Sequence, residues 1–289
     1  MRVTERMIQD SGRRHLQAQI EGLAGVQEQI TSGKRLARPA EDPVAAGEIL
    51  DLRSNLEGLD AYDQTTESSR GWLAASDTSL QALSDLVIKA RTIALRGSSS
   101  TAESMLPQLA DEAEEVLKEA VATANSRHGG DYILAGFKTD TLPFDLTSLT
   151  VTYQGDSGAI MREVEPGHQL QINVSGDTIE PALSELADLV DSLRSGDVSA
   201  VAGHLSLLDD ALDQITSQVS KVGLAADRTE TARGRLDNVR LEVRGLLSRL
   251  EDTDMAEAAV ELNSREQGYR ATLAAIVRGN RQTLMDYLR

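Results

Sequence analysis

Between residues 201 and 250, steps of four and three alternate and land on Val201, Leu205, Leu208, Leu212, Ile215, Val219, Val222, Ala226, Thr229, Arg233, Leu236, Arg240, Val243, Leu247 and Leu250. A seam of that length can be buried only along other helices, in coiled-coil fashion. The chain must therefore hold one very long helix and partners of comparable reach. Arg233 and Arg240 interrupt the stripe. Polar groups there can fix register or meet a carboxylate across the interface, but a local rotation of the packing is the simpler reading and is the one adopted.

Partners with the same spacing lie upstream. Leu73, Ser76, Leu80, Leu83, Val87, Ala90 and Ala94 form one stripe, and Leu106, Leu109, Ala113, Val116, Ala120 and Thr123 form another. Gly97-Ser-Ser-Ser-Thr101 between them is a breaker that also offers an N-cap, so the two read as an antiparallel hairpin. A further helix is expected from about Val44 to Arg70, with Ile49, Leu52, Leu56 and Leu59 on one face. Pro39 and Pro43 favour an extended or turned approach to it. Aromatic residues make up only 3% of the chain while Ala, Leu, Val and Ile recur at helical spacing, which favours slim helical packing over a wide core.

From about His128 to Pro181 the period falls to two. Val151 and Tyr153 alternate with threonines and Gln154, and Leu170, Ile172 and Val174 alternate with Gln169, Gln171 and Asn173. Gln154-Gly-Asp-Ser-Gly158, Pro166-Gly167 and Ser175-Gly-Asp177 supply turns. The expected fold class is therefore α+β: an elongated helical coiled-coil rod formed by both chain ends, with a small β-rich module inserted.

The termini carry thinner stripes. Leu16, Ile20, Leu23, Gln27 and Ile30 align near the start; Met255, Ala259, Leu262, Glu266, Tyr269, Leu273, Ile276, Asn280, Thr283 and Tyr287 align near the end, with Leu284 and Leu288 beside them. Such sparse stripes gain little from helix propensity and need a partner surface. Termini that pair in an assembly and termini that dock on the chain's own rod fit this pattern equally.

Chemistry is poorly provided for. With no cysteine, thiolate metal sites, disulfides and cysteine nucleophiles are excluded. His15, His128, His168 and His204 stand far apart, and each reads as a lone surface or packing residue. Ser32-Gly-Lys-Arg35 lacks the upstream glycine and following Ser or Thr of a phosphate loop. Gly155-Asp-Ser-Gly158 reads as a β-turn rather than a serine nucleophile, and the carboxylates around Asp111 to Glu115 read as solvated charge. No metal, cofactor or catalytic group is expected, and the chain is not read as an enzyme. The net charge of −17 is concentrated in the middle, which disfavours nucleic acid and anionic lipid. No run approaches the length of a membrane span, and no secretory leader is evident.

The segment from Gln27 to Ala46 resembles the N-terminal signature of the flagellin superfamily. Within it, Ser32, Gly33, Lys34 and Arg35 followed by Pro39, Asp42 and Pro43 resemble the hook-associated protein 3 family. Flagellins tend to show Ser-Gly-x-Arg-Ile-Asn and Asp-Asp-Ala-Ala-Gly instead. Further matches are Val3-Thr4, Met7, Tyr62, Gly130-Asp-Tyr-Ile-Leu-Ala-Gly136, Leu142-Pro-Phe144, Val151-Thr-Tyr-Gln-Gly155 and the closing Leu284-Met-Asp-Tyr-Leu288. The asparagine expected soon after the family tyrosine is not evident in Asp63-Gln-Thr-Thr-Glu67.

The resemblance implies a structural subunit joining flagellar hook to filament. It also implies a division into an assembly and export segment (1–40), a helical rod (41–127 and 183–252), a protruding β-rich module (128–182) and a C-terminal assembly helix (253–289). Leu16, Ile20, Leu23 and Ile30 would meet Leu262, Tyr269, Leu273, Ile276 and Leu284 within or between subunits. Implied partners are copies of itself in a ring or tube, the preceding hook-associated junction protein, flagellin and an export chaperone. The location implied is extracellular, reached without a cleaved leader. A short flagellin and a cytosolic coiled-coil scaffold are the alternatives.

Overall fold

The computed structural model describes residues 2–36, 38–99 and 103–287, and the side chains of residues 1–6, 8–9, 37, 100–103 and 279–289 lie outside that description. Six helices and six short strands follow in the order α1 (Arg2–Ser32), α2 (Pro43–Gly97), α3 (Leu106–Ala124), β1 (Arg127–His128), β2 (Asp131–Tyr132), β3 (Phe144–Thr147), β4 (Thr150–Tyr153), β5 (Met161–Glu165), β6 (His168–Gln171), α4 (Glu180–Ser195), α5 (Val198–Glu251) and α6 (Met255–Tyr287). The chain divides into two compact units, residues 59–238 and the pair of end segments 1–58 and 239–289, with α2 and α5 contributing to both.

In the larger unit, α2 and α5 run antiparallel. Glu67 faces Arg233 at 3.7 Å and Arg91 binds Asp209 at 2.5 Å, so numbers rise on one helix as they fall on the other. Every seventh residue of α5 from Val201 to Leu236 is buried, and the intervening seam positions Leu205, Leu212, Val219 and Ala226 are partly so. The long stripe is thus the core-facing edge of this helix. At Arg233 both readings hold: the buried residue is the neighbouring Ala232, 1% exposed, so the stripe shifts by one position there, and Arg233 beside it reaches the Glu67 carboxylate across the interface. The interruption is tolerated because the long side chain carries its charge past the seam to solvent.

One expectation about helix boundaries changes. The helices expected at 44–70 and from Leu73 onward are one continuous α2, because a single glycine costs only about 1 kcal/mol and the buried face runs unbroken past Gly71 through Thr66, Ser69, Leu73 and Ser76. That glycine lies where an added Cβ would approach His128 Nε2 at 3.1 Å, and Trp72 meets the His128 ring edge-on at 6.2 Å. The expected hairpin forms, with Arg96 to Glu112 at 3.0 Å joining α2 to α3. α4 then packs on α3, and Arg194 pairs with Glu114 between them.

The strand module is three separate two-stranded antiparallel hairpins, each closed by a two-residue loop. Gly129-Gly130 and Ser148-Leu149 both have positive φ, the geometry that matches strand twist. Pro166-Gly167 closes β5–β6. The run Ile172 to Val174 is buried, but lies beyond the strand. Gly136, at φ +71, sits where a Cβ would collide with the Asp156 carbonyl oxygen. Asp156 Oδ1 accepts the Phe137 and Gly158 N–H groups at 2.7 and 2.9 Å, and these bonds hold its carboxyl below its ordinary pKa. Gly155 to Gly158 is a turn, as expected.

Candidate assembly interface

In the smaller unit α1 and α6 pack against each other. An added Cβ on Gly12 would lie 3.4 Å from Ile276, one on Gly22 would meet Arg265, and one on Gly268 would lie 3.6 Å from Gln19. These approaches fix an antiparallel register in which Val26 stands opposite Leu262. Leu16, Leu23, Ile30, Leu262, Tyr269, Leu273 and Ile276 are all half-buried, whereas Ile20 is 49% exposed. Leu284 falls among the residues whose side chains are not described.

Among the described residues of the pair, the most buried side chains are Val26 and Ala258, each 4% exposed, and neither lies on the stripes expected from the sequence. The stepping that selected Gln27 passed Val26 by one position, and a small alanine at 258 carries little hydrophobic signal. Outside the seam, apolar side chains of the pair face solvent: Val260 is 70% exposed, and Met7 and Val277 are also open, as are Val44 and Leu50 on α2, Leu241 on α5 and Met255 on the stripe itself.

The Ser32 to Pro43 signature has a direct structural account. Gly33, at φ +70, ends α1, its N–H returning to Gln29 O at 2.8 Å, as a left-handed helix cap requires. The next residues lie antiparallel to the end of α5: Arg35 N donates to Glu251 O at 2.7 Å, and Thr253 N donates to Gly33 O at 3.0 Å. Lys34 Nζ then reaches Asp252 at 2.8 Å and Glu251 at 3.1 Å, and Arg53 Nη2 donates to Glu251 at 2.5 Å. Arg35 Nε caps the Leu250 carbonyl at 3.0 Å, and Ser32 Oγ accepts the Lys34 N–H at 3.2 Å.

Asp42 Oδ1 accepts the Ala45 N–H at 3.1 Å and so caps α2, with Pro43 at the first helical position, where a missing N–H costs nothing. Asp254 caps α6 in the same way. Pro39 lies exposed in the intervening turn, and no contact explains it. The joint therefore fastens together the end of α1, the start of α2, the end of α5 and the start of α6.

Its electrostatics follow from burial. Glu251 is 7% exposed; burial raises its pKa, but the bonds from Lys34 and Arg53 outweigh that and leave it below its ordinary value. Lys34 and Ser248 depress Asp252, and both acidic partners raise Lys34.

One histidine departs from its expectation. The turn at Gly196 folds α5 back on α4, so that His204 Nε2 lies 2.8 Å from Ser192 Oγ and Nδ1 contacts Glu185. The order Ser–His–Glu resembles a hydrolytic triad, but Ser192 lies inside α4, where neighbouring N–H groups are spent on the helix and none is left for an oxyanion. The network clips α4 to α5.

Among known proteins, the bacterial flagellin N-terminal helical region matches residues 3–139, and the flagellin C-terminal helical region matches residues 205–288. The chain belongs to the flagellin superfamily. Flagellar hook-associated protein 3 of Escherichia coli is 27% identical over 83% of this chain and 73% of its own, and that of Salmonella typhimurium is 25% identical over 78% and 74%. The solved flagellar hook associated protein-3 of Legionella pneumophila shares the fold, with a TM-score of 0.63 at 15% identity over 70% of this chain and 98% of its own. Flagellin of Bacillus subtilis is 20% identical over 88% of this chain and 88% of its own, below the identity to the two hook-associated proteins 3.

Proposed function

We propose that this chain joins flagellar hook to filament, and that it polymerises through the α1–α6 pair into a ring or tube. The observation that carries the reading is the pair itself. Two helices of more than thirty residues share a thin, half-buried seam while isoleucine, valine and methionine side chains remain exposed around it. An apolar surface of that kind is stabilised when neighbouring copies cover it. Leu16, Ile20, Leu23, Ile30, Leu262, Tyr269, Leu273, Ile276 and Leu284 form the assembly surface in this reading, and Ser32 to Pro43 is the joint that aims it.

The preceding hook-associated protein and flagellin are the neighbours above and below, and an export chaperone covers the C-terminal helix before assembly. The subunit lies outside the cell, exported without a cleaved leader, and performs no chemistry. The strand module, residues 128–182, stays accessible on the assembled structure.

Immunogold labelling of intact flagella with an antibody to that module tests the reading. Gold confined to the hook-filament boundary is expected; gold along the whole filament would make the chain a flagellin, and none would return the scaffold alternative. Leu273→Asp and Ile276→Asp test the surface. Each should abolish incorporation while leaving the helicity of the larger unit intact, and normal incorporation would remove the α1–α6 pair from the interface.

A further inference from the structure

The larger unit holds a groove of about 490 Å³ that none of the preceding roles uses. One wall is the outer edge of β6 and the residues that follow it; the other is the face of α5 around Val222. The registers of β5–β6 give the wall its chemistry. Ile172 N donates back to Ile160 O at 3.0 Å, so Leu170, two residues earlier, also faces β5 with its backbone groups, while those of Gln169 and Gln171 turn the other way, toward the groove. An unpaired strand edge therefore lies along an open cleft, and the residues on it, Gln169 and Gln171, carry none of the charge that usually protects such an edge.

The opposite wall is cationic. Lys221 and Arg228 stand seven residues apart on α5, both line the groove, and among the described residues neither has a carboxylate partner. The other arginines of this helix within the same unit, Arg233 and Arg235, are both paired. In a chain of net charge −17, two unpaired cations facing one cleft are a local reversal of sign. Met161 and Leu224, 47% and 53% exposed, supply apolar surface at the rim.

We infer that this groove binds an extended peptide segment of alternating acidic and apolar residues, which adds to the β6 edge as a third strand and sets its carboxylates against Lys221 and Arg228. A strand rather than a helix fits, because the wall offers backbone donors and acceptors along one edge. The acidic character follows from charge complementarity. This site is independent of polymerisation through α1 and α6 and is measured on the unassembled full-length chain.

The test uses fluorescently labelled Ac-Asp-Val-Asp-Val-Asp-NH2 and anisotropy at low salt. Saturable binding is expected, weakened roughly tenfold or more by the double change Lys221→Glu and Arg228→Glu, since two partly exposed attractions become repulsions. Circular dichroism verifies that this surface variant is folded. A probe N-methylated at every residue, which has no backbone donor on either edge, should bind far more weakly. Equal binding of the N-methylated probe, equal binding of the Lys-Val counterpart, an unchanged affinity in the double variant, or no saturation would each overturn the proposal. Concentration-dependent self-association that the double variant abolishes, without peptide binding, would assign the groove to a second copy and overturn it as well.

Discussion

Glu251→Gln removes one negative charge from the joint while keeping its shape and one acceptor oxygen. In the native chain that carboxylate takes bonds from Lys34 and Arg53. Removing one member of a fully buried ion pair costs about 3–5 kcal/mol. Here the carboxylate is enclosed, but the side chains of Lys34 and Arg53 are 43% and 53% exposed, so both cations rehydrate and the glutamine still accepts a bond. The expected loss is therefore about 1–2 kcal/mol, which is a factor of roughly 5–30 in the opening equilibrium. Native-state hydrogen exchange followed by fragment mass spectrometry should show α1 and α6 amides exchanging faster by that factor, with α3 and α4 unchanged. A double-mutant cycle with Lys34→Met should return a non-zero coupling. Unchanged exchange in α1 and α6, or equal acceleration in both units, would refute the claim that Glu251 fastens the helix ends.

The same joint sets an acid sensitivity. Glu251 and Asp252 are both depressed in the folded chain, so their contribution is complete above their ordinary values of 4.5 and 3.8 and is lost as pH falls through the folded values; α1–α6 exchange should rise in that window, and less so in Glu251→Gln. Gly136→Ala, which adds a Cβ at positive φ against the Asp156 carbonyl, should destabilise the larger unit by about 2–4 kcal/mol, read from the fluorescence of the sole tryptophan, Trp72. Ser148→Asn should stabilise the β3–β4 hairpin by about 0.5–1 kcal/mol, because asparagine tolerates the left-handed geometry at φ 52 better than serine does, and a lowered denaturation midpoint would contradict this. Arg235 holds Glu165 through two parallel bonds of 2.6 and 2.7 Å, so Arg235→Ala should raise exchange in β5–β6 selectively; protection equal to that of the unaltered chain would mean that Thr66 Oγ1, bonded to the Val164 carbonyl, suffices to hold the hairpin.

The sequence by itself determined that long helices flank a strand module, which face of α5 is buried and where some of the turns fall, because these are written in local periodicity: the seven-residue repeat from Val201 to Leu236 marks one helix face, and Pro166-Gly167 beside an alternating run marks a turn. The motif Ser32 to Pro43 was visible as a pattern and its family could be read, but its work was not, since Lys34 acts on Asp252 and Arg53 on Glu251, about two hundred residues away along the chain. Tertiary structure alone decided that Arg233 meets Glu67, that His204 joins Ser192 and Glu185, and that Val26 rather than Gln27 seals α1 on α6. In each case the deciding partner belongs to another helix. Spacing along one helix tells which side chains share a face, whereas the register between two helices is set by the packing of both surfaces at once, and only the folded chain supplies it.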